Sequence, residues 1–351
     1  MTRVRFALAG TGAMAERMLE TLKLIPELSV DFVASRDLAR SQAFVLKNGL
    51  QANAITYDGL SNTAGIDALY IASTNEHHTT IAQIALANRI AVLIEKPLTT
   101  SYETTKSLVG LAQKNKVLLM EALWTKFIPA YRSYVETVRS NQFGPIGLFR
   151  ADFGYRNATD GAAPINSANH GVIADRLIYP LALSLDLLGG ITRIDAATGN
   201  PAGSFDSHVA VQLSHAAGGL SQLVVSRDVQ LSNEATAYCR DATICLAEPL
   251  LGSEAVKMRM TYPISVTGSA RPSKIKAALK QSSLLRSLAA KRQRFSVQPL
   301  PYGKDQYLPM MMHFLGLMKT GTHESDVHPL SATLELAQLL ENVRGKIYSH
   351  G

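Results

Sequence analysis

Val4-Arg-Phe-Ala-Leu-Ala9 runs directly into Gly10-Thr-Gly12-Ala-Met-Ala15, and this join of an apolar run to a glycine turn decides the fold class. The apolar run reads as a buried strand, and the residues from Ala13 onward read as the helix that follows it. Gly10 permits the tight turn, Gly12 lets the backbone approach a pyrophosphate, and Ala15 stands where the third glycine of a GxGxxG pattern packs helix on strand. A helix N-terminus at that point offers free amides and partial positive charge to phosphate. Taken alone, GxGxxA is a weak pattern that also describes an empty glycine turn. Placed after the first strand of a βαβ series it carries weight, and Gly10, Thr11, Gly12, Ala13 and Met14 are the expected contacts to a dinucleotide.

The series is present in the residues that follow. Strands are expected at Val4–Ala9, Ser29–Ala34, Ala68–Ala72, Ala91–Ile94 and Val117–Met120. Helices are expected between them at Ala13–Leu24, Leu38–Asn48, Thr79–Ala87 and Ser101–Asn115. This alternation is that of a parallel sheet built from βαβ units. Beyond Phe143-Gly-Pro145 the pattern changes to alternating strands such as Ser207–Leu213 and Ser221–Ser226, interrupted by a helical stretch at Ala174–Leu188. Two late helices follow, Tyr307–Lys319 and Leu330–Tyr348. The expected fold is therefore α/β: a Rossmann dinucleotide-binding domain with a doubly wound parallel sheet over 1–122, and a C-terminal α+β domain over 123–351 with a large open, mostly antiparallel sheet. The last helices are expected to pack back on the first domain.

Bulk properties narrow the function classes. A chain of 351 residues, 46% hydrophobic and 18% charged, is that of a globular protein of about two domains. No apolar run approaches the roughly 20 residues of a membrane span. The strand beginning near Met1 leaves no room for a signal peptide, which predicts a cytoplasmic location. Cys239 and Cys245 have no CxxC or histidine spacing, so neither a metal site nor a disulfide is expected. The net charge of +7 is concentrated in one segment: eight basic and no acidic residues lie between Arg271 and Arg294. Removing those eight leaves the rest of the chain at −1, so the fold itself is not basic and no nucleic-acid partner is expected. The segment reads as a solvated helical insertion or lid, with contact to an anionic membrane or nucleic acid as the alternative.

Four further stretches carry chemistry. The second strand ends in Ser35-Arg36, a hydroxyl and a guanidinium suited to a ribose 2′-phosphate, with Asp37 read as the N-cap of the next helix. This favours NADP over NAD, which stays possible. Asn75, at the end of another strand, is read first as a helix cap and second as a contact to the cofactor ribose. The adjacent His77 and His78 point in different directions on a helix and lack a third ligand, so they predict no metal. The strand at Ala91–Ile94 ends in Glu95-Lys96-Pro97, charge at the carboxyl end of a buried parallel strand, where open α/β sheets bind ligands. Finally, Asp175 and Tyr179 lie four apart on a helix and share a face. An ordinary first-turn aspartate and a half-buried tyrosine would read the same way without Lys96.

Taken in order, GxGxxA, Thr74-Asn75-x-x-His78, Glu95-Lys96-Pro97 and Asp175-x-x-x-Tyr179 resemble the glucose–fructose oxidoreductase / inositol dehydrogenase family over nearly the whole chain. Tyr179, together with Met120-Glu-Ala-Leu-Trp124-Thr-Lys-Phe127-Ile-Pro129, is most similar to its dimeric dihydrodiol dehydrogenase and NADP-xylose dehydrogenase branch. The resemblance implies hydride transfer between NADP(H) and a secondary alcohol or hemiacetal carbon of a sugar, polyol or cyclic diol, in a homodimer or dimer of dimers formed through the C-terminal sheet. It implies Lys96, Asp175 and Tyr179 as catalytic residues, with Tyr179 the acid/base and Lys96 lowering its pKa. Ser73, Thr74, Asn75, His78, Glu95 and Lys96 would lie along the cofactor, and Trp124, Phe127, His170, Tyr179 and Tyr307 along the substrate. Three departures bear on substrate identity: Ala168-Asn-His170-Gly171-Val172 replaces a glycine run, Lys126 an arginine, and Thr74 a proline. A non-catalytic NADP(H)-binding regulator or redox sensor on the same fold is the alternative that the altered loop suggests.

Overall fold

The computed structural model describes residues 3–62, 64–156, 171–202, 205–262 and 295–348. The segment 271–294 and His170 therefore lie outside the described residues. Strands β1 (Val4–Ala9), β2 (Leu28–Ser35), β3 (Asn53–Thr56), β4 (Ala68–Ile71), β5 (Ala91–Ile94) and β6 (Leu119–Glu121) form one sheet in the order β3-β2-β1-β4-β5-β6. Every neighbouring pair in it is parallel. Helices α1 (Ala13–Leu22), α2 (Leu38–Lys47), α3 (Asn75–Ala87) and α4 (Tyr102–Asn115) make the crossovers. All four positions of β4 and of β5 are buried, as strands covered on both faces must be. Strand order reverses between β1 and β4, so a crevice opens beyond their carboxyl ends.

Two local differences from the sequence reading have simple causes. β3 was not expected: Asn53-Ala-Ile-Thr is a four-residue edge strand, exposed or half-buried throughout, and so lacks an apolar run. β6 begins at Leu119 rather than Val117 because Lys116 closes α4 in the left-handed conformation (φ 54°) and the Val117 amide still donates back to the Ala112 carbonyl at 3.0 Å.

The second sheet has eight strands: β7 (Ile146–Gly154), β8 (Ile191–Ala202), β9 (Phe205–His215), β10 (Leu220–Ser226), β11 (Ala235–Cys239), β12 (Ala242–Leu246), β13 (Ala255–Met260) and β14 (Ser296–Pro299). Their order is β14-β13-β12-β11-β7-β10-β9-β8, antiparallel except where β7 and β10 pair in parallel. Helices α5 (Pro129–Arg139) and α6 (Ile178–Leu188) pack on one face. Phe149, Ala151 and Phe153 of β7 and Leu223 and Val225 of β10 are buried there, while Arg150, Leu220 and Gln222 are exposed on the other face. A π-helical turn, Ile173–Leu177, leads into α6.

The closing helices α7 (Leu308–Thr320) and α8 (Leu330–Tyr348) return to the first sheet. Phe314 meets Phe6 of β1 edge to face at 6.1 Å, and Leu330 joins the apolar cluster of Leu108 and Val109 on α4. Among the described residues no helix is long and apolar enough to cross a membrane, and Cys239 and Cys245 are buried and unpaired.

Candidate active site

At the carboxyl end of β1, Gly10 has φ +125°, and a Cβ there would lie 2.4 Å from the Ala72 carbonyl oxygen. Only glycine fits both conditions. Gly12 is the extended N-cap of α1 and makes no side-chain cap; a Cβ there would meet nothing within 4 Å. The first-turn amides of α1 thus open onto free space, as a pyrophosphate requires. A cleft of about 370 Å³ lies over them, lined by Gly10 to Met14, Ser35, Arg36, Arg40, Tyr57, Ala72, Ser73, Thr74 and His77.

At the rim of this cleft, Asp37 caps α2 by accepting from the Ala39 amide at 2.9 Å, the role read from its sequence position. Arg36, just before α2, and Arg40, in its first turn, both reach the cleft with Tyr57. Burial pushes the Tyr57 phenol up, against the pull of the two guanidinium groups and of a hydrogen bond with Ser73. The Ser35 hydroxyl, by contrast, is buried and engaged, donating to the Asp37 carbonyl at 2.5 Å and lying 3.0 Å from Ser41 Oγ.

The structure corrects the reading of the β4–α3 turn. Asn75 is the first residue of α3, and the cap position belongs to Thr74, which makes no side-chain cap bond. Neither Asn75 nor His78 lines the cleft. His78 is fully buried, with Nδ1 3.2 and 3.3 Å from the Pro97 and Leu98 carbonyls and Nε2 3.1 Å from the Ser73 carbonyl. It ties the Lys96–Pro97 turn to the cofactor loop, and burial pulls its pKa down despite those carbonyls. The turn is held from its other side by Glu121, which accepts from the Leu98 amide at 2.8 Å and meets His328 Nε2 at 2.8 Å.

Glu95 and Lys96 face a second cavity, of about 520 Å³, and not the dinucleotide cleft. Met14 lines both spaces, so they adjoin at the start of α1. Glu95 is buried and accepts from the Tyr70 hydroxyl beneath it. Lys96 Nζ, on a side chain 12% exposed, donates to the Asp175 carbonyl at 2.8 Å and to Asp175 Oδ1 at 2.9 Å. Its ammonium lies 5.0 Å from the centroid of the Tyr179 ring. The carbonyl it captures belongs to the π-turn, where the widened helix sets backbone groups outside the α-helical ladder. Lys96, from the end of β5, therefore meets Asp175 of the π-turn and Tyr179 of α6 in one cavity. Trp124 and Tyr307 also line it, with ring centroids 4.8 Å apart. Phe127 does not: it is buried against His313 at 5.0 Å, a packing role.

Protonation differs from expectation. Burial pushes the Tyr179 phenol well above its ordinary value, outweighing the opposing pull of Lys96, and Glu95, Asp175 and Tyr307 push the same way. Burial acts against the Lys96 ammonium, but the neighbouring oxygens of Tyr179, Asp175 and Glu95 outweigh it and hold the pKa above its ordinary value. Burial would raise Asp175, yet Lys96 and then Arg176 hold it below the usual carboxylate range. At neutral pH the cavity thus presents a phenol and an ammonium, both donors, beside a carboxylate.

Other residues here escaped the sequence reading. Phe153, Tyr155, Gln230, Glu248 and Gln306 line the cavity, and Arg40 and Tyr57 the cleft. Glu248-Pro249 follows the buried strand β12 much as Glu95-Lys96-Pro97 follows β5, a parallel visible in the sequence. Asp305 carried no such signal. It is buried, accepts from Arg17 (2.5 Å), Thr21 (2.9 Å) and the Tyr307 amide (2.8 Å), and so pins the Tyr307 loop to α1.

Comparison with known proteins bears on the family and the fold. A family model described as an oxidoreductase family with an NAD-binding Rossmann fold matches residues 4–123, and the GFO/IDH/MocA C-terminal domain matches residues 131–245. A trans-1,2-dihydrobenzene-1,2-diol dehydrogenase of Danio rerio is 28% identical over 189 residues, 53% of this chain and 57% of that protein. The match thus spans little more than half of that relative's length. A 3-ketoreductase from Actinomadura kijaniata, solved with NADP and TDP-benzene, superposes with a TM-score of 0.78 at 19% identity over 99% of this chain and 98% of that one. Levoglucosan dehydrogenase, solved with NADH and levoglucosan, gives 0.80 at 13% identity over 100% and 98%. Both structures share the fold. With a family model matching each of its two domains, the chain belongs to the GFO/IDH/MocA family of oxidoreductases.

Proposed function

We propose that this chain is an NADP-dependent dehydrogenase that oxidises, or in reverse forms, a secondary alcohol or hemiacetal carbon of a sugar, polyol or cyclic diol. The observation that carries the proposal is the convergence of Lys96, Asp175 and Tyr179 in a cavity that shares Met14 with the glycine-turn cleft. When bound, a nicotinamide dinucleotide supplies the hydride acceptor or donor. The protein's own groups handle the proton and the charge. Tyr179, a phenol at neutral pH, donates its proton to a carbonyl oxygen in reduction and takes one from an alcohol in oxidation. Lys96, held charged, stabilises negative charge on that oxygen. Asp175 fixes Lys96 through two hydrogen bonds and leaves a half-exposed carboxylate (51%) to accept from a substrate hydroxyl. A sensor of NADP(H) would have no use for this set, which argues against the non-catalytic alternative.

Arg36 and Arg40 at the rim support NADP over NAD, because two guanidinium groups suit a 2′-phosphate that only NADP carries. The open face of the eight-stranded sheet, where Leu220 and Tyr238 are each 40% exposed, supports pairing with a second copy of the chain. The test is a screen of pentoses, hexoses and cyclic diols with NADP⁺ and with NAD⁺, following formation of the reduced nicotinamide. Turnover of at least one neutral polyol or diol is expected, faster with NADP⁺ by about tenfold or more in kcat/KM. Absence of turnover across all three classes would overturn the proposal.

A further inference from the structure

Lys96 is the only cation lining the substrate cavity among the described residues, and it is already bonded to Asp175. The cations just outside are committed as well. Arg17, 4.9 Å from the Tyr307 ring, is paired with Asp305 at 2.5 Å, and Lys257, which feels the charge of Glu248, is paired with Glu234 at 2.8 Å. Arg176 lies over the Tyr155 ring at 3.9 Å and donates to the Tyr155 carbonyl at 2.9 Å. Three carboxyl groups line the same cavity: the buried Glu95, the half-exposed Asp175, and the exposed Glu248 in the turn after β12. Its apolar walls are Trp124, Phe153, Tyr155, Tyr307 and the Leu250–Leu251 pair.

From this we propose that Glu248 is a specificity determinant that rejects anionic substrates, so that the site takes uncharged ring polyols and not uronates, sugar phosphates or nucleoside diphosphate sugars. The aromatic and aliphatic walls suit the C–H face of a ring, and hydroxyls donate to carboxylates that repel a second negative charge. Gln230 and Gln306, also in the lining, hydrogen-bond without adding charge. The inference deepens the proposed function and rests on the same cavity.

The test uses Trp124, the single tryptophan of the chain and a wall residue, as a reporter of occupancy that needs no turnover. Its fluorescence in the full-length protein, saturated with NADP⁺, is titrated with glucose, xylose and myo-inositol, and with glucuronate, glucose 6-phosphate and xylonate. Each acidic compound is expected to bind about tenfold or more weakly than its neutral counterpart, the factor for a like charge roughly 6 Å away in a partly wetted site. In E248Q, where the exposed side chain is replaced by its neutral isostere, the neutral-to-acidic affinity ratio falls at least about threefold. An acidic compound binding as tightly as its counterpart, an unchanged ratio in E248Q, or no binding by any neutral compound would overturn the filter. Discrimination with no NADPH formed from these compounds or from the cyclic diols would leave the filter standing and remove the dehydrogenase reading.

Discussion

Replacing Asp305 tests whether the cofactor helix and the substrate cavity are one mechanical unit. The carboxylate sits 7% exposed between α1 and the loop before α7, and three donors converge on it: Arg17, Thr21 and the Tyr307 amide. In Asp305→Ala the Thr21 hydroxyl and the Tyr307 amide lose their acceptor inside the protein, at roughly 1–3 kcal/mol each. Arg17, with a side chain 37% exposed, rehydrates and adds only about 1 kcal/mol. Together these give a loss of about 3–7 kcal/mol, readable as a lower midpoint in urea denaturation. Because Tyr307 packs against Trp124 and lines the cavity, KM for a neutral polyol should also rise several-fold, with a smaller change in kcat. A stability loss below about 1 kcal/mol with unchanged KM would refute the idea that this carboxylate couples the two elements.

Gly10→Ala should cost roughly 2–4 kcal/mol and weaken NADPH binding by about 100-fold, since its Cβ would lie 2.4 Å from the Ala72 carbonyl at φ +125°; dye-monitored melting and fluorescence titration check both. The rate of alcohol oxidation should climb steadily as pH rises through the alkaline range, because burial raises the Tyr179 pKa and the base form is scarce at neutrality. Carbonyl reduction, which needs the phenol, should stay flat over the neutral range; a plateau of the oxidation profile near pH 7 would contradict that ionisation state. Tyr179→Phe should lower kcat by about 10²–10⁴-fold with little change in KM, as steady-state kinetics in both directions would show.

What the sequence made legible was whatever local pattern controls. The Gly10–Ala15 turn, the buried β5 ending in Glu95 and Lys96, and the Asp37 cap are each set by neighbours within a few residues, and each lies where its pattern put it. Contacts that span the chain carried no such signal. Glu121 and His328 are 207 positions apart, and Thr21 and Asp305 are 284 apart, yet both pairs are buried hydrogen bonds that frame the site. Phe127 and Trp124 read alike in sequence, and only the position of His313 shows that one is packing and the other wall. The Tyr179 pKa was misjudged for the same reason. A nearby lysine is visible in a motif, whereas the burial that outweighs it and the carboxylates of Glu95 and Asp175 that oppose it exist only in three dimensions.

Lys96→Met offers the most direct test that an ammonium at the end of β5 and a phenol from α6 work on one substrate oxygen. Methionine keeps the length and packing of the side chain while removing the charge and both hydrogen bonds to Asp175. Under that assignment kcat falls by about 10³-fold or more, while the Kd for NADPH stays within roughly threefold, because Lys96 faces the substrate cavity and lies outside the glycine-turn cleft. A variant that turns over at the native rate, or one that loses NADPH binding in step with kcat, would contradict it.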